Sequence, residues 1–155
     1  MKTIIKTLFP IFIVFFIAFS AKAVNGMDDV RTIHVKGTDN MKFDVSLIEA
    51  KPGEQIKIIF ETVSNMPKES MAHNLAIIDL DVDLDAFAMA SMMARDNMYI
   101  APEFESGIIA RTEMIGGGET SSIEFTVPET PGDYDYVCTF PGHYLSGMVG
   151  ILRVQ

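Results

Sequence analysis

One short segment near the C-terminus carries three side chains that can bind a metal. It reads CTFPGHYLSGM from 138 to 148, so a thiol at Cys138, an imidazole at His143 and a thioether at Met148 follow at fixed intervals. Pro141-Gly142 predicts a turn between the thiol and the imidazole. Cysteine and histidine suit copper or zinc, and a thioether is a soft ligand that favours copper.

A fourth ligand is needed to complete a recognisable site. Two histidines and one cysteine in a plane, with a weak axial methionine, form the ligand set of blue-copper electron-transfer sites. The chain has three histidines. Alternation in an early predicted strand turns His34 to solvent, which leaves His73, ahead of the apolar run 75–78. Its neighbour Asn74 is predicted to orient the loop and to hydrogen-bond the Cys138 sulfur.

Each of these residues also has an interpretation that involves no metal. A solitary histidine before a strand, such as His73, is by itself more typical of a surface or capping residue. An odd cysteine in an exported protein suggests intermolecular pairing or a reactive thiol, and an isolated buried cysteine is commonly inert. Met148 opens the last predicted strand, where core packing is the alternative. An inert thiol would leave the spacing to His143 and Met148 unexplained.

The N-terminus predicts export. Lys2 and Lys6 precede an almost wholly apolar stretch, 7–20, and Ala21-Lys22-Ala23 fits a cleavage site, so residues 1–23 read as a secretory signal peptide. The apolar run is shorter than the roughly 20 residues that span a bilayer, which disfavours a retained anchor. We therefore expect one domain, 24–155, in the periplasm, without a permanent membrane span and as a monomer; an extracellular or membrane-associated location is the less favoured alternative.

The net charge limits the choice of partners. The whole chain carries −9, and cleavage would remove Lys2, Lys6 and Lys22 but none of the 21 acidic residues, leaving −12. A charge of this sign excludes nucleic acid as an expected partner. A basic protein partner is favoured instead, because opposite charge raises encounter rates.

Periodicity predicts a mostly β domain around this segment. About eight short strands separated by Gly and Pro turns indicate an antiparallel sandwich or barrel. One stretch, 81–95, predicts a helix with aspartates at its start and Arg95 at its end. Its methionines could suggest a copper-loading surface, but core packing is the favoured interpretation. The predicted strands are 30–36, 42–48, 55–61, 73–79, 108–112, 121–127, 133–138 and 148–154.

Four segments together resemble the cupredoxin (type 1 blue copper) family, most closely its azurin and auracyanin members. They are GTDNMKF at 37–43, NMPK at 65–68 leading to MAHN at 71–74, IGGGE at 115–119 and CTFPGH at 138–143. The resemblance covers nearly the whole of 24–155. It implies an all-β Greek-key sandwich with one type 1 copper ion near one end.

The resemblance also implies a role for each site residue. His73, Cys138 and His143 would form the trigonal plane, Met148 would be the distant axial ligand, and the backbone carbonyl of Ala72 would be a weak ligand opposite it. An apolar patch would surround an exposed edge of His143, where redox partners dock and electrons pass. The patch residues are Met41, Met71, Phe140 and Pro141, and Phe140 also lies beside the metal.

Three departures from azurin stand out. Four residues separate His143 from Met148 where azurin has three, so the axial distance and the potential do not carry over. A single cysteine excludes azurin's disulfide, and Leu75 stands where azurin has a core tryptophan. Tyr134, four residues before the cysteine, resembles the family's tyrosine corner.

The resemblance implies single-electron shuttling between redox proteins such as c-type cytochromes or a terminal oxidase or reductase. No acid–base or nucleophilic constellation points to an enzyme, and three histidines cannot supply the second copper site of a nitrite reductase. A periplasmic copper carrier or chaperone using the same ligands is the main alternative. A metal-free interaction domain would leave the spacing around Cys138 without a purpose.

Overall fold

The computed structural model describes residues 30–155, which form two packed β-sheets and one short helix. One sheet has the order β2-β1-β4-β7 and the other β3-β9-β8-β5-β6. This architecture confirms the predicted all-β sandwich. The signal peptide predicted at 1–23 lies outside the described residues. The strands are β1 Arg31–Thr38, β2 Lys42–Phe43, β3 Leu47–Ala50, β4 Gln55–Val63, β5 Ala76–Ile78, β6 Ile108–Arg111, β7 Thr120–Thr126, β8 Gly132–Val137 and β9 Val149–Val154.

Alternating side chains build the core between the sheets. In β4, Ile56, Ile58 and Phe60 are fully buried while their neighbours are only half-buried. Such alternation places every second side chain on one face of a strand. The predicted tyrosine corner is present, because the hydroxyl of Tyr134 donates to the carbonyl of Thr130 at 2.8 Å.

Three strand predictions need correction. The predicted strand 42–48 divides into β2 and β3, which belong to different sheets, so the described residues contain nine strands. Asp44 fixes the crossing, since its carboxylate accepts from the amide of Lys36 at 2.6 Å. β1 pairs with β4 in parallel, and β3 with β9, so the sheets are mixed rather than antiparallel throughout. The strand predicted at 73–79 shortens to β5, preceded by an isolated bridge at His73.

The stretch between β5 and β6 contains the single helix, α1, Leu84–Met93. Asp83 caps it by accepting from the amide of Ala86 at 2.9 Å. The helix stops before Arg95, which instead begins a 3₁₀ helix, Arg95–Asn97, so the predicted C-terminal end is wrong. A second 3₁₀ helix spans Pro102–Gly107.

A second apolar cluster seats this inserted segment on the five-stranded sheet. Its buried side chains come from the helix region and from β5 and β8, so the insertion packs beside the C-terminal end of β8, where the cysteine follows. Within residues 30–155, no helix has the length and apolar character needed to cross a bilayer. The buried members of this cluster are Ala76, Ile78, Phe87, Ile100 and Val137.

Candidate metal centre

Three predicted ligands converge at one end of the sandwich. The Nδ1 atom of His143 lies 3.4 Å from Cys138 Sγ, and Nδ1 of His73 lies 3.8 Å from the same sulfur. The two Nδ1 atoms are 3.1 Å apart. All three residues are buried. The predicted His73 therefore joins the Cys138 segment, while His34 is exposed in β1, as alternation predicts.

Burial leaves the three donors uncharged in the metal-free protein. Burial lowers the pKa of both histidines to about 4, and a weaker attraction to Asp39 acts against this at His73. Burial also raises the pKa of the Cys138 thiol to about 12, although the amides of Asn74 and Phe140 favour its thiolate.

This donor set fits copper. Two neutral imidazoles and one sulfur point at a common space, and the sulfur already faces backbone N–H groups that stabilise a thiolate. Metal binding would release the thiol proton, because the thiolate is the ligand form. Nε2 of His73 is buried and makes no hydrogen bond of ordinary geometry among the described residues, although the Thr38 backbone lies near enough to the ring to favour its protonated form. With Nδ1 facing the sulfur, Nε2 would carry the ring proton.

His73 is held by a bridge at the edge of the five-stranded sheet. Its amide donates to the carbonyl of Ile115 at 2.9 Å, and the amide of Ile115 donates back at 2.9 Å. Asn74 then ties this segment to the cysteine segment. Its side-chain amide donates to the Thr139 hydroxyl at 2.9 Å, and its side-chain oxygen accepts from the Thr139 amide at 2.9 Å. Asn74 thus makes two side-chain hydrogen bonds to Thr139, and its backbone amide faces the sulfur; its orienting role stays a prediction.

The segment from Cys138 to Met148 is a loop closed by its own backbone. The amide of Cys138 donates to the carbonyl of Met148 at 3.2 Å, and the amide of Met148 donates to the carbonyl of His143 at 3.0 Å. Two glycines permit the tight path, Gly142 at φ +85° and Gly147 at φ +81°. The turn predicted from Pro141-Gly142 is therefore present, and Met148 is returned to the end of the loop nearest Cys138.

Lys42 closes the same loop from outside. Its ammonium donates to the carbonyl of Ser146 at 2.6 Å and to that of Gly147 at 3.0 Å. Sequence reasoning missed this contact, because an exposed lysine in a short strand carries no signal of a partner about a hundred residues away. The result is that β2 braces the two residues just before Met148.

Gly37 is a second residue that the sequence analysis did not single out. A Cβ atom at this position would lie 2.9 Å from Cγ of His73 and 3.0 Å from Cε of Met148. The two side chains therefore both approach the Gly37 backbone, and a larger residue would separate or displace them. A glycine inside a strand often marks such a close approach, but the strand predicted at 30–36 ends one residue before Gly37, whereas β1 includes it. Met148 itself is fully buried.

The surroundings of His143 differ from the expectation. Only 2% of His143 is exposed, so the predicted exposed edge is wrong. The ring of Phe140 lies 4.8 Å from the His143 ring, centroid to centroid, and covers it. Among the predicted patch residues, Met71 and Phe140 are buried, Met41 is half-buried and Pro141 is exposed. Ala72 is buried directly before His73, and the role of its carbonyl stays a prediction.

Sequence comparison relates the described residues to a family of known proteins. The family model described as copper binding proteins, plastocyanin/azurin family, matches residues 30–155. Azurin of Alcaligenes faecalis is 32% identical over 115 residues, covering 72% of this chain and 89% of that protein. Outer membrane protein H.8 of Neisseria gonorrhoeae is 36% identical over 111 residues, covering 70% of this chain and 60% of that protein. The chain thus spans less than two thirds of the length of that relative.

Solved structures resemble the whole described domain. A dithionite-reduced auracyanin from Roseiflexus castenholzii superimposes with a TM-score of 0.70 at 29% identity, covering 80% of this chain and 96% of that one. Auracyanin A from Chloroflexus aurantiacus, described as a "blue" copper protein, gives a TM-score of 0.71 at 28% identity, with 82% and 100% covered.

Proposed function

Since this chain belongs to the plastocyanin/azurin family of copper-binding proteins, we propose that it is an exported type 1 blue-copper protein that carries single electrons between redox partners. The observation that carries the proposal is the convergence of Cys138, His73 and His143 in a buried space. Bound copper would supply the chemistry by alternating between Cu(I) and Cu(II).

The proposed ligand roles follow from chemistry and position. Cys138 would bind copper as the thiolate, and His73 and His143 would each bind through Nδ1. Met148 would be the weak fourth ligand, and the backbone carbonyl of Ala72 would be a weaker one. Asn74 and Phe140 act on the sulfur through their amides, and such outer contacts tune a metal's potential.

The chain's own contribution is to hold these donors with little freedom to move. His73 is fixed by two backbone bonds to Ile115, and Asn74 is fixed by two bonds to Thr139. A ligand set that keeps one geometry in both oxidation states reduces the rearrangement that accompanies electron transfer. The same rigidity disfavours ligand exchange, which a copper carrier would need.

Partners and location form a further part of the proposal. The predicted patch of Met41, Met71, Phe140 and Pro141, in which Met41 and Pro141 provide most of the exposed surface, would receive a redox protein such as a c-type cytochrome or a terminal oxidase or reductase, with no catalysis by this chain itself. An acidic body favours basic partners. Export rests on the predicted signal peptide, 1–23, and the related H.8 protein carries the name of an outer membrane protein.

Titrating Cu(II) into purified metal-free protein tests this proposal. We expect one equivalent to give an intense blue thiolate-to-copper absorption band and a reversible one-electron potential. Met148→Leu should keep the band and change the potential, because the axial ligand tunes the couple rather than forming the trigonal set. A colourless complex that binds Cu(I) and passes it to a chelator would instead favour a copper carrier.

A further inference from the structure

The inserted segment between β5 and β6 touches the loop 138–148 at two points, one on each side of His143. On one side, the hydroxyl of Tyr144 donates to Oδ1 of Asp85, in the first turn of α1. On the other side, the ring of Tyr99 packs on Phe140 with centroids 5.3 Å apart and a 60° angle between planes. Tyr99 packs against the main apolar core, of which Phe140 is a member, while Tyr144 packs against the second cluster.

The first contact joins His143's neighbour to a firmly seated helix. The ring of Tyr144 packs against the apolar cluster that holds the insertion on the sheet. Asp85 follows the helix cap at Asp83, whose carboxylate fixes the first turn. The hydrogen bond therefore links the loop to an element with its own anchoring, and not to another loop.

The second contact depends on an unusual backbone. Met98 and Tyr99 both lie in the left-handed region, at φ +54° and +60°, although neither is glycine. Such conformations persist where the surroundings over-determine them. Here the Tyr99 amide donates to the carbonyl of Ala94 at 2.9 Å. The outcome is that the Tyr99 ring faces Phe140, whose ring in turn covers His143.

Apart from these two contacts, the loop is restrained from outside by Lys42, which holds the carbonyls of Ser146 and Gly147 just before Met148. The loop passes through two left-handed glycines, Gly142 and Gly147, and its own backbone bonds are local. Glycine carries the largest conformational freedom of any residue. Without external contacts, the turn that carries His143 would sample more positions than a fixed ligand tolerates.

We propose that the inserted segment 84–100 clamps the metal loop through Asp85–Tyr144 and Tyr99–Phe140, making Tyr144 and Tyr99 positioning residues for His143. The inference rests on the proposed function only in that His143 is taken as a ligand. The clamp itself is a property of the loop and exists in the metal-free protein.

Amide hydrogen exchange on the full chain tests the first contact without copper. Tyr144→Phe removes the hydroxyl and keeps the ring. We expect the amides of His143, Ser146 and Met148 to exchange about five times faster, the factor set by one hydrogen bond. Asp85→Ala should act alike, and the double variant should add nothing further because both remove the same bond. Asp85→Asn keeps an acceptor oxygen and should stay near the wild-type rate.

Tyr99→Ala tests the second contact, and Met98→Ala is its matched control. Both residues have the same left-handed backbone, but Met98 is half exposed. We expect faster exchange at His143 in the Tyr99 variant alone. In copper-loaded protein, Tyr99→Ala and Tyr144→Phe should also shift the absorption band and the potential, while Met98→Ala should not.

Core amides in β4 distinguish positioning from general stability. If Ile58 and Phe60 exchange faster by the same factor as His143, the contacts are merely structural and the clamp is overturned. Unchanged loop exchange in both tyrosine variants overturns it as well, even if the protein is blue. Conversely, a colourless protein with selective loop loosening keeps the clamp and rejects the electron-transfer function.

Discussion

The two ends of the sandwich are built by the same strands but with opposite chemistry. β1 begins at Arg31, whose Nε atom lies 2.5 Å from a Glu54 carboxylate oxygen at an open cleft of about 320 Å³. It ends near Gly37, which packs against the His73 ring. At the first end, charged groups meet in water. At the second, neutral donors are enclosed and placed by backbone bonds and close approach.

Displacing a side chain should cost more free energy at the metal end than at the cleft end. Exposed ion pairs contribute about 0–1 kcal/mol each, because solvent screens them and ordering two long side chains costs entropy. The enclosed donors are more sensitive to displacement. A buried group that leaves its partner cannot form a replacement hydrogen bond with water. Changes at the metal end should therefore alter function strongly, and changes at the cleft end should alter it little.

Replacing the sulfur is the change with the largest expected effect. Cys138→Ser should abolish the blue band completely, because a hydroxyl does not supply the thiolate from which the band arises. The measurement is the visible spectrum after Cu(II) addition. His34→Ala is the matched control, since that histidine is exposed in β1, and its spectrum should equal that of wild type. A blue Cys138→Ser variant would show that the ligand assignment is wrong.

As the pH falls, the stability contributed by the metal end should be lost before that contributed by the cleft end. Burial lowers the pKa of His73 and His143 to about 4, so the unfolded chain binds protons more readily than the folded one. Their contribution to stability is present above the ordinary pKa of about 6.5 and is lost as pH falls toward 4. Urea unfolding of metal-free protein at pH 7 and pH 5 should differ on the order of 4 kcal/mol, about 2 for each histidine.

Two carboxylates that pair with arginines at the other end titrate in a lower window. The pKa of Glu54 is lowered by Arg31, and that of Asp133 by Arg153, so their contributions persist down to the ordinary carboxylate range and are lost below it. Burial and the charge of Asp133 raise the pKa of Asp135, which acts in the opposite direction, so the contribution of the histidines is isolated by removing them. A variant with His73→Gln and His143→Gln should show a flattened dependence, and an unchanged slope would contradict the assignment.

Adding a methyl group at Gly37, where the backbone lies close to His73 and Met148, should affect the copper band less than replacing the sulfur does. Gly37→Ala places a Cβ against His73 and Met148 and should cost about 1–3 kcal/mol of unfolding free energy by overpacking. We expect a blue but shifted band and a changed potential. Gly132→Ala is a matched control, because its Cβ would meet the flexible end of exposed Leu80. Equal spectra for the two variants would remove Gly37 from the site.

The sequence predicts which side chains form the candidate site better than it predicts the contacts that hold them in place. Cys138, His143 and Met148 were found because residue types and short spacing are local, and His73 because only three histidines had to be compared. Lys42 was missed because its contact with the loop depends on tertiary structure. The contact of Asp85 with the loop was missed for the same reason.

The fold shows the same division between local and long-range information. Alternation predicted β4 closely, since burial on one face is written into its residues. The division of 42–48 between two sheets was not predicted, because the pattern continues through the crossing at Asp44. The burial of His143 was also missed, since it depends on ring contacts with Phe140 and, from elsewhere in the chain, His73, whose packing the spacing does not show.

The smallest expected effect lies at the cleft end. A double-mutant cycle of Arg31→Gln and Glu54→Gln, followed by urea unfolding, should give a coupling energy below about 1 kcal/mol, falling further in high salt. The copper band should not move in any of the three variants. Each substitution also removes a second contact, because Arg31 donates to the Glu49 carbonyl at 2.7 Å and the Glu54 carboxylate accepts from the Lys51 amide. The cycle separates these contacts from the ion pair. A coupling of several kcal/mol, or a shifted band, would mean that the two ends are not separable, since β1 would then transmit a disturbance at Arg31 to the histidine that packs on Gly37.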